Sequence, residues 1–306
     1  MGYHRYDADA WSTYATATAT KTHRDYGRTS ILPAFDPATF GIRESRKSEL
    51  NPNPTPFIAA LDVTGSMGRI VEAMRKGLGT LFEQIITRAV IPDPHVMAVA
   101  VGDFEVDRAP IQATQFEGEP VTIGRQIEDL WLERGGGGND FEGYLGPLYL
   151  AAMRTDCDAI REGRKGFVFT VGDEEPQMVL RKSSVKLFFG DDIQRDLTAD
   201  ELLSLVARGW EYFHLMVTEG SHMQAHQGRV TAAWTDLIGQ RALPLTDHTR
   251  MAEVIISAAE VASGRDRDTV AKSWSGSTSL IVRNAINRLM IGGRPTGRGP
   301  RTICPS

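Results

Sequence analysis

The chain has 306 residues, 41% of them hydrophobic and 24% charged, the balance of an ordinary globular protein with ample length for a large core. A formal net charge of −5 gives no global attraction to nucleic acid, and the two cysteines, Cys157 and Cys304, form neither a disulfide framework nor a metal-ligand spacing. No N-terminal apolar leader and no apolar run of membrane-spanning length occurs, so the sequence reads as that of a cytoplasmic protein with no membrane partner.

Residues 1–54 are polar and weakly periodic, with an Ala/Thr alternation from Ala15 to Thr20 and a Pro-rich linker, Asn51 to Pro56, feeding the first strand. Tyr3, Tyr6, Trp11, Tyr14, Phe35 and Phe40 are many aromatics for a tail. The stretch reads as a partly ordered extension, the common state of termini, with an arm wrapped on the domain or on a partner as the alternative.

The apolar run Phe57–Leu61 then enters Asp62-Val-Thr64-Gly-Ser66-Met-Gly68, and a helical pattern starts at once through Ile70, Val71, Met74, Leu78, Leu81, Ile85 and Ile86. Asp62, Thr64 and Ser66 therefore sit on a strand-to-helix turn, where ligands bind in open α/β sheets. One carboxylate and two hydroxyls are hard oxygen donors that suit a small hard cation such as Mg²⁺. Val96–Val101 predicts a second buried strand ending at Gly102-Asp103. Asp103 and Asp107 lie near that edge, Asp107 as a solvated loop carboxylate. Ile111–Phe116 predicts an edge strand, and Ile123 to Trp131 a short helix.

Four glycines, Gly135 to Gly138, precede Asn139, Asp140, Phe141 and Glu142. Such a run lets backbone approach an ion closely. It lacks the Gly-Lys-Ser/Thr of a phosphate loop, and its acids repel phosphate. A helix is predicted from Glu142 to Met153, then a strand Phe167–Val171 running into Gly172-Asp173, with Glu174 and Glu175 as rim charges. Oxygen-bearing side chains thus fall at the ends of separate strands.

Lys186–Phe189 is a short apolar piece, and Thr198-Ala-Asp-Glu201 is a capping box opening a helix through Val206. Phe213–Val217 predicts a strand. His222 and His226 stand at helical spacing, but without the Glu of a zincin or a third ligand they read as surface histidines. A helix over Val230–Ile238, a strand over Ala242–Leu245 and a helix over Met251–Ala262 complete the alternation. Residues 265–277 read as a polar loop before a last apolar stripe, Leu280 to Leu289, and a basic tail with Arg294, Arg298 and Arg301.

Asp62-x-Thr64-x-Ser66 resembles the Asp-x-Ser/Thr-x-Ser metal motif of the von Willebrand factor A family, and the Gly-rich loop and Gly172-Asp173 resemble its second and third elements. The resemblance implies a doubly wound, mostly parallel, Rossmann-like α/β sheet over residues 55–264, with 1–54 and 265–306 as extensions. It implies a divalent ion, Mg²⁺ with Mn²⁺ or Ca²⁺ as alternatives, held by Asp62, Thr64, Ser66 and Asp173. Asn139 or Asp140 would stand where the family has a threonine. In the family the ion accepts a partner's acidic side chain and serves adhesion, so an adaptor or scaffold is expected rather than an enzyme. The wording is similar to the intracellular bacterial branch, some of whose members work with AAA+ ATPases of the MoxR type.

The rival is an Mg²⁺-dependent phosphotransferase, because Asp62-Val-Thr-Gly-Ser is also similar to the Asp-x-x-Gly-Thr/Ser motif of haloacid-dehalogenase-like enzymes, where the aspartate is the nucleophile. The helix that follows immediately and the tetraglycine loop, which has no role there, favour the interaction module.

Overall fold

The apolar runs seen in the sequence become the strands of one sheet in a computed structural model that describes residues 5–133 and 141–290. Strands β1 (Thr55–Asp62), β2 (Pro94–Val101), β3 (Ile111–Ala113), β4 (Gly166–Gly172), β5 (Trp210–Val217) and β6 (Ala242–Leu245) lie in the order β6-β5-β4-β1-β2-β3. Only β3 runs antiparallel to its neighbour. Apart from a turn at Asp158–Arg161, the helices are α1 (Ala8–Ala17), α2 (Gly68–Thr87), α3 (Pro120–Glu128), α4 (Leu145–Met153), α5 (Lys182–Phe189), α6 (Ala199–Val206), α7 (Ser221–Ile238), α8 (Met251–Ala262), α9 (Arg267–Lys272) and α10 (Gly276–Ile286).

β1 is buried on both faces along its whole length, which is why its sequence is continuous rather than alternating. Phe57, Ala59 and Leu61 face a core built with α2, α3, α8 and α10, whereas Ile58 and Ala60 face a core built with α4, α5, α6 and α7. The chain moves outward from β1 through β2 to β3, then returns to place β4 on the other side of β1. The crevice at the carboxyl ends of β1 and β4 is therefore the topological switch point.

Several elements differ from expectation. Phe141–Glu142 is not the start of a helix; it is a two-residue strand paired in parallel with Glu175–Pro176, and α4 starts at Leu145. The piece Lys186–Phe189 is the last half of α5, which stops at Gly190 with φ +75°. The polar stretch 265–277 contains α9, started by Asp266, whose carboxylate accepts from the Thr269 amide at 2.8 Å. α10 then packs Val282, Ala285 and Ile286 into the same core as α8.

The N-terminal segment is not a loose extension over its described part. Arg43–Ser45 pairs in parallel with Thr155–Cys157. Arg75 of α2, 2% exposed, donates to Tyr26 Oη at 3.0 Å, to Thr18 Oγ1 at 2.8 Å and to the Lys21 carbonyl at 2.9 Å. Glu128 at the end of α3 accepts from Tyr14 Oη at 2.8 Å and from Lys21 Nζ at 2.6 Å. A buried guanidinium satisfied by arm groups makes the arm part of the folded unit.

Candidate metal centre

Asp62 is the last residue of β1 and is fully buried. Its Oδ1 accepts from the Thr64 amide at 2.8 Å and from the Thr64 hydroxyl at 2.7 Å, an Asx turn that bends the chain toward α2. Its Oδ2 receives a long hydrogen bond, 3.4 Å, from Tyr144 Oη at the start of α4. Because Leu61 pairs with Val171, the adjoining strand delivers Asp173 just past the same edge. Asp173 is 4% exposed, and its Oδ2 accepts from the His222 amide at the start of α7 at 3.0 Å. Gly220 makes that contact possible, since a Cβ there would stand 2.1 Å from Asp173 Oδ2.

Two further carboxylates close the pocket. Glu142 is 3% exposed, and its Oε2 is buried without a hydrogen-bond partner among the described residues. Glu174 follows Asp173 directly, and its carbonyl accepts from Trp234 Nε1 of α7 at 2.9 Å. Burial raises the Asp62 carboxyl above its usual range, against the Thr64 hydrogen bonds and with help from Asp173. Burial also raises Glu142, and the charges of Asp62 and Glu174 add to it. Glu174 is pushed up to about 8 by burial first and then by Asp62 and Asp173. Asp173 rises less simply, because the His222 and Met223 amides oppose its burial.

A divalent cation fits these residues. The donors are carboxylate and hydroxyl oxygens, and Glu142 Oε2 is buried with no partner among the described residues. Asp62, Thr64 and Asp173, singled out in the sequence, are brought to one edge. The Ser66 side chain, Asn139 and Asp140 lie outside the described residues.

Other expectations are corrected. Asp107 is not a solvated loop acid: it is 9% exposed and its Oδ2 accepts from the Asp103 amide at 2.8 Å. Glu175 is no rim charge, being 4% exposed and paired with His222 Nε2 at 2.8 Å and with Arg229. His222 is accordingly not a surface histidine, although His226 is exposed. Glu142 was not singled out as a ligand. The available signal was an acid four residues beyond the last glycine of the Gly-rich run, but its burial comes from pairing with residues over thirty positions away. Beyond the ends of β5 and β6, Glu219, Asp247 and His248 form a second group of ligand type. There Glu219 Oε2 accepts from His248 Nδ1 at 2.7 Å, and Asp247 caps the Thr249 amide at 2.9 Å.

The sheet, its flanking helices and the switch-point crevice define a Rossmann-like α/β protein. No family model and no curated protein matches the chain. Among solved structures, the pilus adhesin SpaC from Lactobacillus rhamnosus GG matches at 10% identity and a TM-score of 0.42, over 72% of this chain and 32% of the adhesin. Proximal thread matrix protein 1 from the mussel byssus matches at 11% identity and a TM-score of 0.41, over 72% of this chain and 49% of that one. A form of the byssus protein with a zinc-occupied MIDAS motif matches at 10% identity and a TM-score of 0.34, over the same shares. The chain thus spans less than half the length of these structures.

Proposed function

We propose that the chain is a divalent-cation-dependent protein-interaction module of the von Willebrand factor A type. The observation that carries this reading is the delivery of buried Asp62 and Asp173 to adjoining strand ends at the switch point, with Thr64 and Glu142 beside them. Asp62, Thr64, Asp173 and Glu142 would hold the ion, and the ion when bound would supply an open coordination position for a partner's oxygen ligand. Burial raises Asp62, Glu142, Asp173 and Glu174 alike, so a divalent ion would displace protons from the carboxylates that coordinate it. The ion would also cancel negative charge that otherwise repels a partner's Asp or Glu. Mg²⁺ is the ion of choice for this all-oxygen set, and an adaptor working with an AAA+ ATPase is the setting that the motif wording suggests.

Calorimetric titration with Mg²⁺ and Mn²⁺ tests the centre: wild type binds and Asp62→Asn does not. Partner retention in Mg²⁺ and its loss in EDTA test the interaction. Equal cation binding by Asp62→Asn overturns the reading. Steady Mg²⁺-dependent turnover of phosphate esters, abolished in Asp62→Asn, replaces it with the phosphotransferase.

A further inference from the structure

β5 and β6 run in parallel, and Val217 at the end of one pairs with Leu245 at the end of the other. The Thr218 amide carries the pairing one step further, donating to the Leu245 carbonyl at 3.0 Å. Glu219 and Asp247 each stand two residues past that last strand pair, so the register of the sheet brings two carboxylates together. His248 follows Asp247 and turns the chain into α8. One donor atom from each of the three lies within 4.8 Å of the other two.

This group differs in kind from the acids around Asp62, because it joins an imidazole nitrogen to two carboxylates. Glu219 Oε2 accepts from the His248 amide at 2.9 Å and meets His248 Nδ1 at 2.7 Å. Asp247 Oδ1 accepts from the Thr249 amide at 2.9 Å and from the Thr249 hydroxyl at 2.6 Å. These bonds fall on one oxygen of each carboxylate, so the other oxygen is the one a cation would take. Donors around a tetrahedral Zn²⁺ stand about 3.3 Å apart, a separation that these side chains reach by small rotations.

The Glu219 and His248 side chains are 40% and 20% exposed, which gives an ion a way in. His248 also lines a groove of about 540 Å³ between the N-terminal arm, α2 and the start of α8. An ion held by three protein groups keeps a further position for water or a ligand, and the groove offers room for one. Imidazole suits Zn²⁺, which also stands well above Mn²⁺ in the general order of divalent affinities, whereas Mg²⁺ prefers oxygen alone.

We infer that Glu219, Asp247 and His248 form a second cation centre, one that takes Zn²⁺ in preference to Mg²⁺. The inference rests on this donor set alone and stands whether or not an ion occupies the Asp62 centre.

Titration of the full chain with Zn²⁺ against a chromophoric chelator, in excess Mg²⁺, tests it. Wild type and Asp62→Asn should hold one equivalent alike, and Asp247→Asn and His248→Gln should each weaken it by about tenfold or more. Asn at 247 retains a side-chain oxygen for the Thr249 amide, so that variant should fold, and thermal melts of the zinc-free proteins check this. Co²⁺ in place of Zn²⁺ should give a visible spectrum that changes in His248→Gln. Equal Zn²⁺ affinity in Asp247→Asn, His248→Gln and wild type overturns the inference. Zinc lost in Asp62→Asn but kept in His248→Gln places the ion at the first centre, which overturns the second site and upholds the cation-binding part of the reading above. Zinc lost only in His226→Gln assigns it to the start of α7 and likewise overturns the inference.

Discussion

The Thr64 hydroxyl gives its proton to Asp62 Oδ1, 2.7 Å away, and the Thr64 amide bonds to the same oxygen. This has two chemical effects. Among the described residues it leaves Asp62 Oδ2 with only the long contact to Tyr144, and it leaves the lone pairs of the Thr64 oxygen uncommitted by its own proton. Both oxygens are then prepared to meet a cation without first breaking a strong bond.

Asp62→Asn should separate ion binding from folding. The substitution removes a buried charge that desolvation already disfavours, so the ion-free variant should melt at or above the wild-type temperature. At Mg²⁺ of about a hundred times its dissociation constant, linkage should stabilise wild type by about 2.7 kcal/mol and leave the variant unchanged. Thermal melts in Mg²⁺ and in EDTA check both halves.

The ion-free protein should lose stability as pH rises from about 4.5 to about 8. Glu174 has its folded value raised to about 8, so over this window the folded state holds a proton that the unfolded chain has released. Each such proton contributes a slope of about 1.4 kcal/mol per pH unit, present at the acid end and lost toward the alkaline end. Denaturant titrations in EDTA should show the decline, and Glu174→Gln should make it shallower, with Asp62 and Glu142, also raised by burial, still contributing in the same sense.

Below pH 6.5 a different group should act in the opposite sense. His95 is fully buried, with Nδ1 at 3.0 Å from Ser45 Oγ, and burial lowers it to about 4. The unfolded chain takes up a proton near pH 6.5 that the folded one refuses down to about 4. Stability from this source is intact above 6.5 and falls by up to about 3 kcal/mol on acidification through that window. His95→Gln, compared with wild type between pH 6.5 and 4.5, should remove this loss.

Gly79→Ala should loosen the arm. A Cβ at position 79 would stand 1.9 Å from Trp11 Nε1, so the ring or α1 must shift. Overpacking of this kind costs about 1–3 kcal/mol, partly offset by the better helix propensity of alanine. A double-mutant cycle with Trp11→Ala should show strong coupling, because the smaller side chain removes the clash. Additive denaturation midpoints would show that the arm does not rest on α2 as described.

How much could be read beforehand followed from how local each signal was. Asp62 and Thr64 were legible because one turn joins a buried strand to an amphipathic helix, and that turn alone creates their contact. Asp173 was legible because parallel β1 and β4 end together, as their apolar runs suggested. Glu142 and His222 were not. Glu142 is buried only because its two-residue strand meets Glu175–Pro176, and His222 is engaged only because α7 begins with its amide on Asp173. The arm escaped for a related reason: its polar residues became structural when a buried arginine on another element needed acceptors. α9 was missed although Asp266 and Thr269 mark its start, since a six-residue helix carries too few apolar positions to show a period.

Trp234 gives the centre a built-in optical probe. Its indole N–H holds the Glu174 carbonyl, its ring lies on His214 with centroids 3.5 Å apart, and Tyr144, which reaches Asp62, meets its edge at 5.4 Å. The same indole therefore touches the backbone of one acid and the aromatic neighbour of another. An event that shifts those acids should alter the emission of Trp234, read against the four other tryptophans by comparison with Trp234→Phe.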